Sequence, residues 1–255
     1  EGSDTVFQDL VIQNGWSTSD GGGMYNVSSS PTLIRCWFIS NTAGYGGGMF
    51  NAAYSSPTLT NCIFENNHAI INGGGMFNNT NSNSTLTGCT FTSNTANYGA
   101  GMYNYETDPT LTGCIFTSNT STTSGGGMYN SNSSPALTNG TFENNTASSD
   151  GGGMFNAAYS SPTLTGCTFT SNTANYGAGM YNYETDPTLT GCIFTSNTST
   201  ASGGGMYNNL GSSLTLNTCT FENNTANYGA GMYNYETDPT LENCIFTSNT
   251  STGNG

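Results

Sequence analysis

Short runs of alternating apolar and polar residues fill most of this chain. In the stretch that begins at Gly177, residues 180–182, 188–190 and 192–195 each alternate between two faces. A period of two residues is the signature of a β-strand. Glycine, asparagine and serine separate the runs, as expected for tight turns. The pattern therefore predicts three short strands in each such stretch, joined by turns.

These runs recur with a fixed period. The phrase Gly-[Gly/Ala]-Gly-Met-[Tyr/Phe]-Asn occurs nine times, and after steps of 25 and 27 residues every further step is 26 residues. Its copies begin at Gly21, Gly46, Gly73, Gly99, Gly125, Gly151, Gly177, Gly203 and Gly229. A period in this range is typical of a solenoid, in which each repeat forms one coil stacked on its neighbours. We predict an all-β, parallel β-helix of roughly nine to ten coils.

The prediction covers the chain as a single β-helix domain, 1–255. Residues 1–20 form an incomplete first coil, 21–249 form nine regular coils and 250–255 form a short tail. Solenoids commonly close their ends with a cap, and the sequence predicts none. Two interpretations of the open ends remain: the chain is a slice of a longer solenoid, or its ends stack head to tail into a fibre.

Equivalent residues in successive coils predict a core built of ladders, each made of one residue type. Leucine recurs at 33, 59, 86, 111, 137, 164, 189, 216 and 241, and phenylalanine at 38, 64, 91, 116, 142, 169, 194, 221 and 246. All nine methionines belong to the glycine phrase. Asparagine follows each Phe by three residues and each Met by two, so stacked amides are expected to hydrogen-bond between coils.

The pairing of Phe-x-x-Asn with a Gly-Gly-x-apolar motif resembles the repeats of chlamydial polymorphic membrane proteins. It is also similar to the wider pectate-lyase-like β-helix repeats of bacterial surface proteins. The resemblance covers nearly the whole chain and implies that the coil is right-handed. The chain departs from those repeats in having Met where they carry Ile, Leu or Val.

Composition excludes several classes of partner. The chain has 15 acidic residues, one arginine and no lysine, for a net charge of −14. Such a charge disfavours nucleic acid and anionic membranes as partners, and no run of 18 apolar residues predicts membrane insertion. The scarcity of lysine beside abundant Thr, Ser and Asn favours an extracellular or cell-surface location.

Eight cysteines occupy one position of the repeat: Cys36, Cys62, Cys89, Cys114, Cys167, Cys192, Cys219 and Cys244. Gly140 stands at the missing position. Neighbouring coils about 4.8 Å apart place Cα atoms within disulfide range, which allows the pairs 36–62, 89–114, 167–192 and 219–244. The alternative is a ladder of buried free thiols, because cysteine also packs as a small apolar residue.

Two further ladders are candidate binding surfaces. If Met points inward, an aromatic ladder points outward, at Tyr25, Phe50, Phe77, Tyr103, Tyr129, Phe155, Tyr181, Tyr207 and Tyr233. A bare strip of that size suits a sugar or another subunit. A Thr-x-Thr ladder recurs at 58/60, 85/87, 110/112, 163/165 and 188/190, interrupted by Ile34, Ala136 and Glu242. Such an array resembles the surface of ice-binding solenoids.

The acidic residues do not predict a catalytic site. Paired acids occur in the Tyr-Glu-Thr-Asp-Pro turns, as Glu106/Asp108, Glu184/Asp186 and Glu236/Asp238, two or three coils apart. We interpret them as solvated turns and weak calcium candidates, with no other cofactor or metal expected. The motif Asn-x-Ser/Thr marks glycosylation candidates at Asn26, Asn78, Asn83, Asn132, Asn139 and Asn144.

The sequence therefore predicts a non-catalytic extracellular structural or adhesive protein, with end-to-end self-association as its main interaction. The alternative is a carbohydrate- or ice-binding module that uses the aromatic or Thr-x-Thr ladder. A polysaccharide-degrading enzyme is a third hypothesis, since many β-helix proteins are lyases or hydrolases.

Overall fold

Four parallel sheets run along the whole rod in the computed structural model, which describes residues 5–253. Sheets I and II have ten strands each, and sheets III and IV have nine each. Residues 1–4 and 254–255, the outer parts of the predicted first coil and tail, lie outside the described residues. The described chain is an all-β parallel solenoid without helix, as predicted.

The strands of sheets I and II carry the Leu and Phe ladders. Sheet I consists of Val6–Gln8, Thr32–Ile34, Thr58–Thr60, Thr85–Thr87, Thr110–Thr112, Ala136–Thr138, Thr163–Thr165, Thr188–Thr190, Thr215–Asn217 and Thr240–Glu242. Sheet II consists of Val11–Gln13, Trp37–Ile39, Ile63–Glu65, Thr90–Thr92, Ile115–Thr117, Thr141–Glu143, Thr168–Thr170, Ile193–Thr195, Thr220–Glu222 and Ile245–Thr247.

The other two sheets close the coil around the glycine phrase. Sheet III consists of Thr42–Tyr45, His68–Asn72, Thr95–Tyr98, Thr120–Ser124, Thr146–Ala147, Thr173–Tyr176, Thr198–Ser202, Thr225–Ala226 and Thr250–Ser251. Sheet IV consists of Met24–Val27, Met49–Ala52, Met76–Asn79, Met102–Tyr105, Met128–Ser131, Met154–Asn156, Met180–Tyr183, Met206–Asn209 and Met232–Tyr235.

Each regular coil thus has four strands, and the prediction of three was wrong. The missed strand belongs to sheet III, whose inward residues are small ones such as Ala96 and Ser121. Small side chains give a weak apolar alternation, so the strand period is faint there. Sheet III also absorbs the irregular coil lengths, because its pairing shifts register within the five-residue strand His68–Asn72.

Equivalent residues stack directly over one another. Met102 pairs with Met128 in sheet IV, and Leu86 pairs with Leu111 in sheet I. In sheet II the rings of Phe91 and Phe116 are stacked, with centroids 4.7 Å apart and planes within 4°. The Leu, Phe, Met and Cys ladders form one continuous buried cluster. The predicted core of single-residue ladders is confirmed.

Two asparagine ladders hydrogen-bond through the core, as predicted. Asn119 Nδ2 donates to Asn145 Oδ1 at 2.9 Å and to the carbonyl oxygen of Phe91 at 2.9 Å. Its own Oδ1 accepts from the backbone N–H and from the Nδ2 of Asn94, each at 3.0 Å. Both the NH2 group and the oxygen of each buried amide therefore have hydrogen-bond partners. These bonds also satisfy backbone N–H and C=O groups at the turn between sheets II and III.

The glycine phrase brings the backbone close to neighbouring coils. Its first glycine has a positive φ, for example 70° at Gly125, which a residue with a Cβ adopts only with strain. A Cβ at the third glycine, Gly127, would lie 2.5 Å from the carbonyl oxygen of Gly153 and 2.8 Å from Cδ1 of Phe142. The phrase is therefore fixed by contact with the next coil and with the Phe ladder.

Gly140, the gap in the cysteine ladder, is a glycine of a different kind. It is buried and has no positive φ. A Cβ added there would lie 3.5 Å from Cys167 Sγ, 3.7 Å from Leu137 Cδ2 and 3.8 Å from the carbonyl oxygen of Cys114, all ordinary contact distances. The core therefore has room for a methyl group at this position.

These two glycines of one coil give a paired prediction. Gly140→Ala should raise the free energy of unfolding by about 0.4–1 kcal/mol, because it restricts the unfolded chain without strain. Gly127→Ala should lower it by about 1–3 kcal/mol through overpacking. Urea unfolding followed by circular dichroism measures both. Equal effects of the two substitutions would contradict this account of the packing.

Candidate functional site

The aromatic ladder lies on the outer face of sheet IV, opposite the buried methionines. From Tyr103 to Tyr233 its rings are stacked with centroids 4.7–5.0 Å apart. The predicted bare strip is only partly correct, because most rings are covered. Tyr25 is 52% exposed, whereas Phe50, Phe77 and Tyr181 are no more than 9% exposed.

Tyrosines at the ends of sheet III strands cover this ladder. Tyr98 lies edge-on against Tyr129, with centroids 5.5 Å apart and planes at 79°. Tyr176 contacts Tyr207 in the same way at 5.6 Å and 75°. Each covering tyrosine directly precedes a glycine phrase and leans toward the ladder ring of the next coil. Sequence reasoning missed this second set, although Tyr45, Tyr98, Tyr176 and Tyr228 share one position of the repeat.

Burial shifts the acidity of the groups beside the ladder. It raises the pKa of Tyr103 to about 12, and likewise that of Tyr181 to about 12. Burial also raises the pKa of Asp150, although Ser149 Oγ and Ser124 Oγ donate to its Oδ2 at 2.8 and 3.4 Å. Asp150 is therefore a half-buried carboxyl group beside the ladder whose charge is costly to keep.

The acids of the Tyr-Glu-Thr-Asp-Pro turns act locally. Asp108 Oδ1 accepts from the backbone N–H of Ser134, and Asp186 Oδ1 accepts from that of Ser213, both at 2.6 Å. Each aspartate thus joins its turn to the turn of the next coil. Glu106 has a positive φ of 51° and an exposed side chain.

No three His, Cys, Asp or Glu side chains within residues 5–253 form a group that could hold a metal ion. The six calcium candidates, Glu106, Asp108, Glu184, Asp186, Glu236 and Asp238, stay a prediction. Each Glu–Asp pair lies in a turn of its own, two or three coils from the next pair.

All eight cysteines have free thiols in the structure, so none of the four predicted bridges is formed in it. Seven thiols are buried and Cys244 is half-buried. Adjacent positions are close: the backbone N–H of Cys36 lies 3.5 Å from Cys62 Sγ. Burial raises the pKa of the Cys36 and Cys244 thiols at the two ends of the ladder, whereas hydrogen bonds from Cys89 and Cys192 lower the pKa of Cys62 and Cys219 to about 7. The alternative of packed free thiols describes this structure.

The glycosylation candidates fall into two groups. The side chains of Asn83, Asn132, Asn139 and Asn144 belong to exposed residues. Those of Asn26 and Asn78 were predicted wrongly, because their Nδ2 atoms donate to Asn51 and Asn104 inside the second amide ladder, at 2.8 and 2.9 Å. In the folded chain these two nitrogens are therefore not available to a glycan.

The Thr-x-Thr ladder forms an exposed array on sheet I. Its threonines pair in register, as Thr85 and Thr87 do with Thr110 and Thr112. All ten point away from the core, and nine belong to exposed residues. The array is regular from 58 to 112 and again from 163 to 190, on either side of Ala136.

No helix among the described residues has the length and apolar character needed to cross a membrane. The family described as "Right handed beta helix region" matches residues 1–169 and 138–255. No curated protein matches the chain. Among solved structures, a crystal structure of pectate lyase Pel9A covers 91% of this chain and 69% of its own, at 13% sequence identity and a TM-score of 0.43.

Asp150 gives a pH prediction. Its pKa is raised in the folded state, so between its unfolded and folded pKa values the native protein binds more protons and stability falls as pH rises. Asp150→Asn should therefore raise the melting temperature at pH 7 and leave it nearly unchanged well below pH 4.

The matched control for this experiment is Glu143→Gln, which removes the same charge from an exposed position. It should change the melting temperature little at any pH. If Asp150→Asn lowers the melting temperature at neutral pH, the hydrogen bonds from Ser149 and Ser124 outweigh the cost of burial, and the assignment is wrong.

Proposed function

This chain belongs to the family of right-handed β-helix regions, and from that premise we propose that it is a non-catalytic, extracellular structural rod that associates end to end. The observation that supports this most is the continuity of its sheets: all four pair from coil to coil along the described residues. The chemistry of each described coil is nearly that of the next, which favours cohesion along the axis over a single localised catalytic site.

The end faces support self-association. At one end Phe7, Met24 and Tyr25 line a cavity of about 450 Å³. At the other, Met232 and Phe246 line one of about 380 Å³. Each end face exposes the last members of the ladders that run along the rod. Each face therefore presents apolar side chains and strand edges that match those of the opposite face. An open edge of this kind pairs with another strand, either of a second copy or of adjoining coils in a longer chain.

Several finer features belong to this proposal. The Phe-x-x-Asn and Gly-Gly-x repeats favour a bacterial surface role of the polymorphic-membrane-protein type. Glycans on the exposed asparagines suit the same location. In an oxidising environment, the adjacent thiols of the cysteine ladder allow the four predicted disulfides to form. Intact-mass measurement with and without reductant would count them, because each disulfide lowers the mass by two hydrogens.

End-to-end association predicts filaments in negative-stain electron microscopy of the purified chain. A single rod of ten coils is about 48 Å long at about 4.8 Å per coil, so filaments and single rods differ clearly in length. Leu241→Lys places a charge on the exposed end of the Leu ladder, where the side chain is 40% exposed. It should abolish filaments, because edge lysines block strand pairing.

Ile115→Lys is the matched control, since Ile115 is 41% exposed on the side of the rod. That variant should still form filaments. Single rods at every protein concentration would overturn the self-association proposal and favour a slice of a longer solenoid.

A second candidate function is ice or carbohydrate binding, and the exposed Thr-x-Thr array favours the former. Two columns of threonine in register give a flat, regularly spaced hydroxyl surface. We expect measurable thermal hysteresis in the purified protein if this face binds ice, and its loss in Thr87→Lys. The control Thr247→Lys changes an exposed threonine of sheet II. Absence of hysteresis in the unmodified protein would contradict this function.

A further inference from the structure

One column of the repeat breaks the regularity of the rod beside the aromatic ladder. It is the residue directly before each glycine phrase: Asp20, Tyr45, Asn72, Tyr98, Ser124, Asp150, Tyr176, Ser202 and Tyr228. Twice in this column an aspartate is followed one coil later by a tyrosine. Asp20 pairs with Tyr45, and Asp150 with Tyr176, through isolated parallel bridges. Each pair stands over two rings of the ladder, and we call these two places the first and second notch.

The first notch is a concave corner of three rings and a carboxyl group. Asp20, Tyr45, Phe50, Phe77 and Asn79 line a cavity of about 270 Å³. Tyr45 and Phe77 have centroids 5.9 Å apart, and Phe50 meets Phe77 edge-on at 4.9 Å and 85°. Rings at such different inclinations can surround a small group from several sides.

The second notch has the same order of residues five coils further along, with its rings at other inclinations. Tyr176 meets Tyr207 edge-on at 5.6 Å, and Tyr207 is stacked on Tyr181 at 4.9 Å. Burial raises the pKa of both Tyr181 and Tyr207, and the negative charge of Asp150 raises it further. Its Oδ2 accepts from two serine hydroxyls, as described above. The two notches thus have the same order of residues: an aspartate, a tyrosine one coil on, and ladder rings in that coil and the next.

The charge of the chain identifies the ligand that suits the notches. Arg35 is the only Lys or Arg in the sequence. Its guanidinium already binds Asp9, with Nε–Oδ1 and Nη2–Oδ2 distances of 2.7 and 2.8 Å. The chain therefore has no second Lys or Arg to neutralise Asp20 or Asp150. A carboxylate beside aromatic ring faces is the chemistry that favours a cation carrying apolar groups, since the rings attract positive charge and exclude water.

We propose that each notch binds an organic ammonium group, as a quaternary ammonium or as a protonated amine of an amino sugar. The aspartate supplies the counter-charge, and the tyrosine with the two ladder rings supplies the walls. The binding does not require that the rods associate end to end, because the residues of each notch belong to one chain. The cavity of about 270 Å³ is near the lower end of the range for small-molecule sites, which suits a headgroup better than a long chain.

The test is calorimetric titration of the full chain with choline chloride at low ionic strength. We expect saturable binding with a stoichiometry of two. The uncharged isostere 3,3-dimethylbutan-1-ol has the same shape, and it should bind at least about ten-fold more weakly, because the site selects charge. Equal binding of choline and its isostere would overturn the proposal, as would failure of both choline and glucosamine to bind.

Single substitutions locate the two sites. Asp20→Asn or Asp150→Asn should reduce the stoichiometry from two to one, and the double variant should lose saturable binding. Asparagine keeps the shape of aspartate and one acceptor oxygen without the charge, and circular dichroism checks that the rod is intact. Glu143→Gln, which removes an exposed charge on sheet II, should leave the stoichiometry at two. A stoichiometry unaffected by the double variant would also overturn the proposal.

A second pair of ligands distinguishes the source of the ammonium group. Glucosamine carries a protonated amine, and N-acetylglucosamine has the same ring without the charge. If choline binds and glucosamine does not, the notches are assigned to quaternary ammonium groups. Binding of glucosamine ahead of its acetylated form assigns them to amino sugars. Preference for N-acetylglucosamine over both cations would refute the ammonium assignment and favour a neutral sugar site.

Discussion

Stacking of like on like along one axis is the constraint on which the rest of this structure depends. Strands of neighbouring coils pair in parallel, with register shifts within sheet III, so an inward Leu, Phe or Met of a regular coil faces its equivalent in the next coil. The buried asparagines show why this matters most. Asn94 and Asn119 each donate and accept along the ladder, and such an amide is satisfied only if its neighbours are also asparagine. A polar residue in this core is therefore stable because it repeats.

The same constraint explains the choice of residues around each coil. Phe rings stack at 4.6–4.8 Å because the coil spacing is close to the spacing of parallel rings. Glycine is needed where the backbone turns back against the Phe ladder, and its third copy in each phrase leaves no room for a methyl group. Sheet III takes alanine and serine inward because that side of the coil is narrow. Repetition of one solution, rather than a large globular core, gives a chain with few apolar residues its stability.

A repeat so regular makes its exceptions informative. In a rod whose coils are nearly interchangeable, function resides either in the repetition, as cohesion, or in the few columns that vary. The residue directly before the glycine phrase differs from coil to coil. It is tyrosine, aspartate, asparagine or serine, and each of them lies beside the same aromatic ladder. Asp20 and Asp150 share one neighbour in this column, a tyrosine one coil further along. Gly140 is an exception of another kind: a missing side chain in a buried ladder that has space for one.

The sequence alone determined the architecture of this protein. The 26-residue period and the alternation within it were sufficient for the coil, the ladders of Leu, Phe, Met and Asn, and the direction in which each points. They were sufficient because a solenoid turns sequence period directly into spatial contact. The sheet III strand of each coil was not predicted, because alanine and serine alternate with threonine there and give almost no apolar signal.

Only the tertiary structure decided which surfaces are open. It showed that tyrosines of sheet III cover a ladder that the strand period simply places outside. It also decided between two sequence expectations for Asn26 and Asn78, which belong to the buried amide ladder and not to glycan sites. The covering tyrosines depend on contacts between different sides of the coil, and a period along the chain has no information about distances across it.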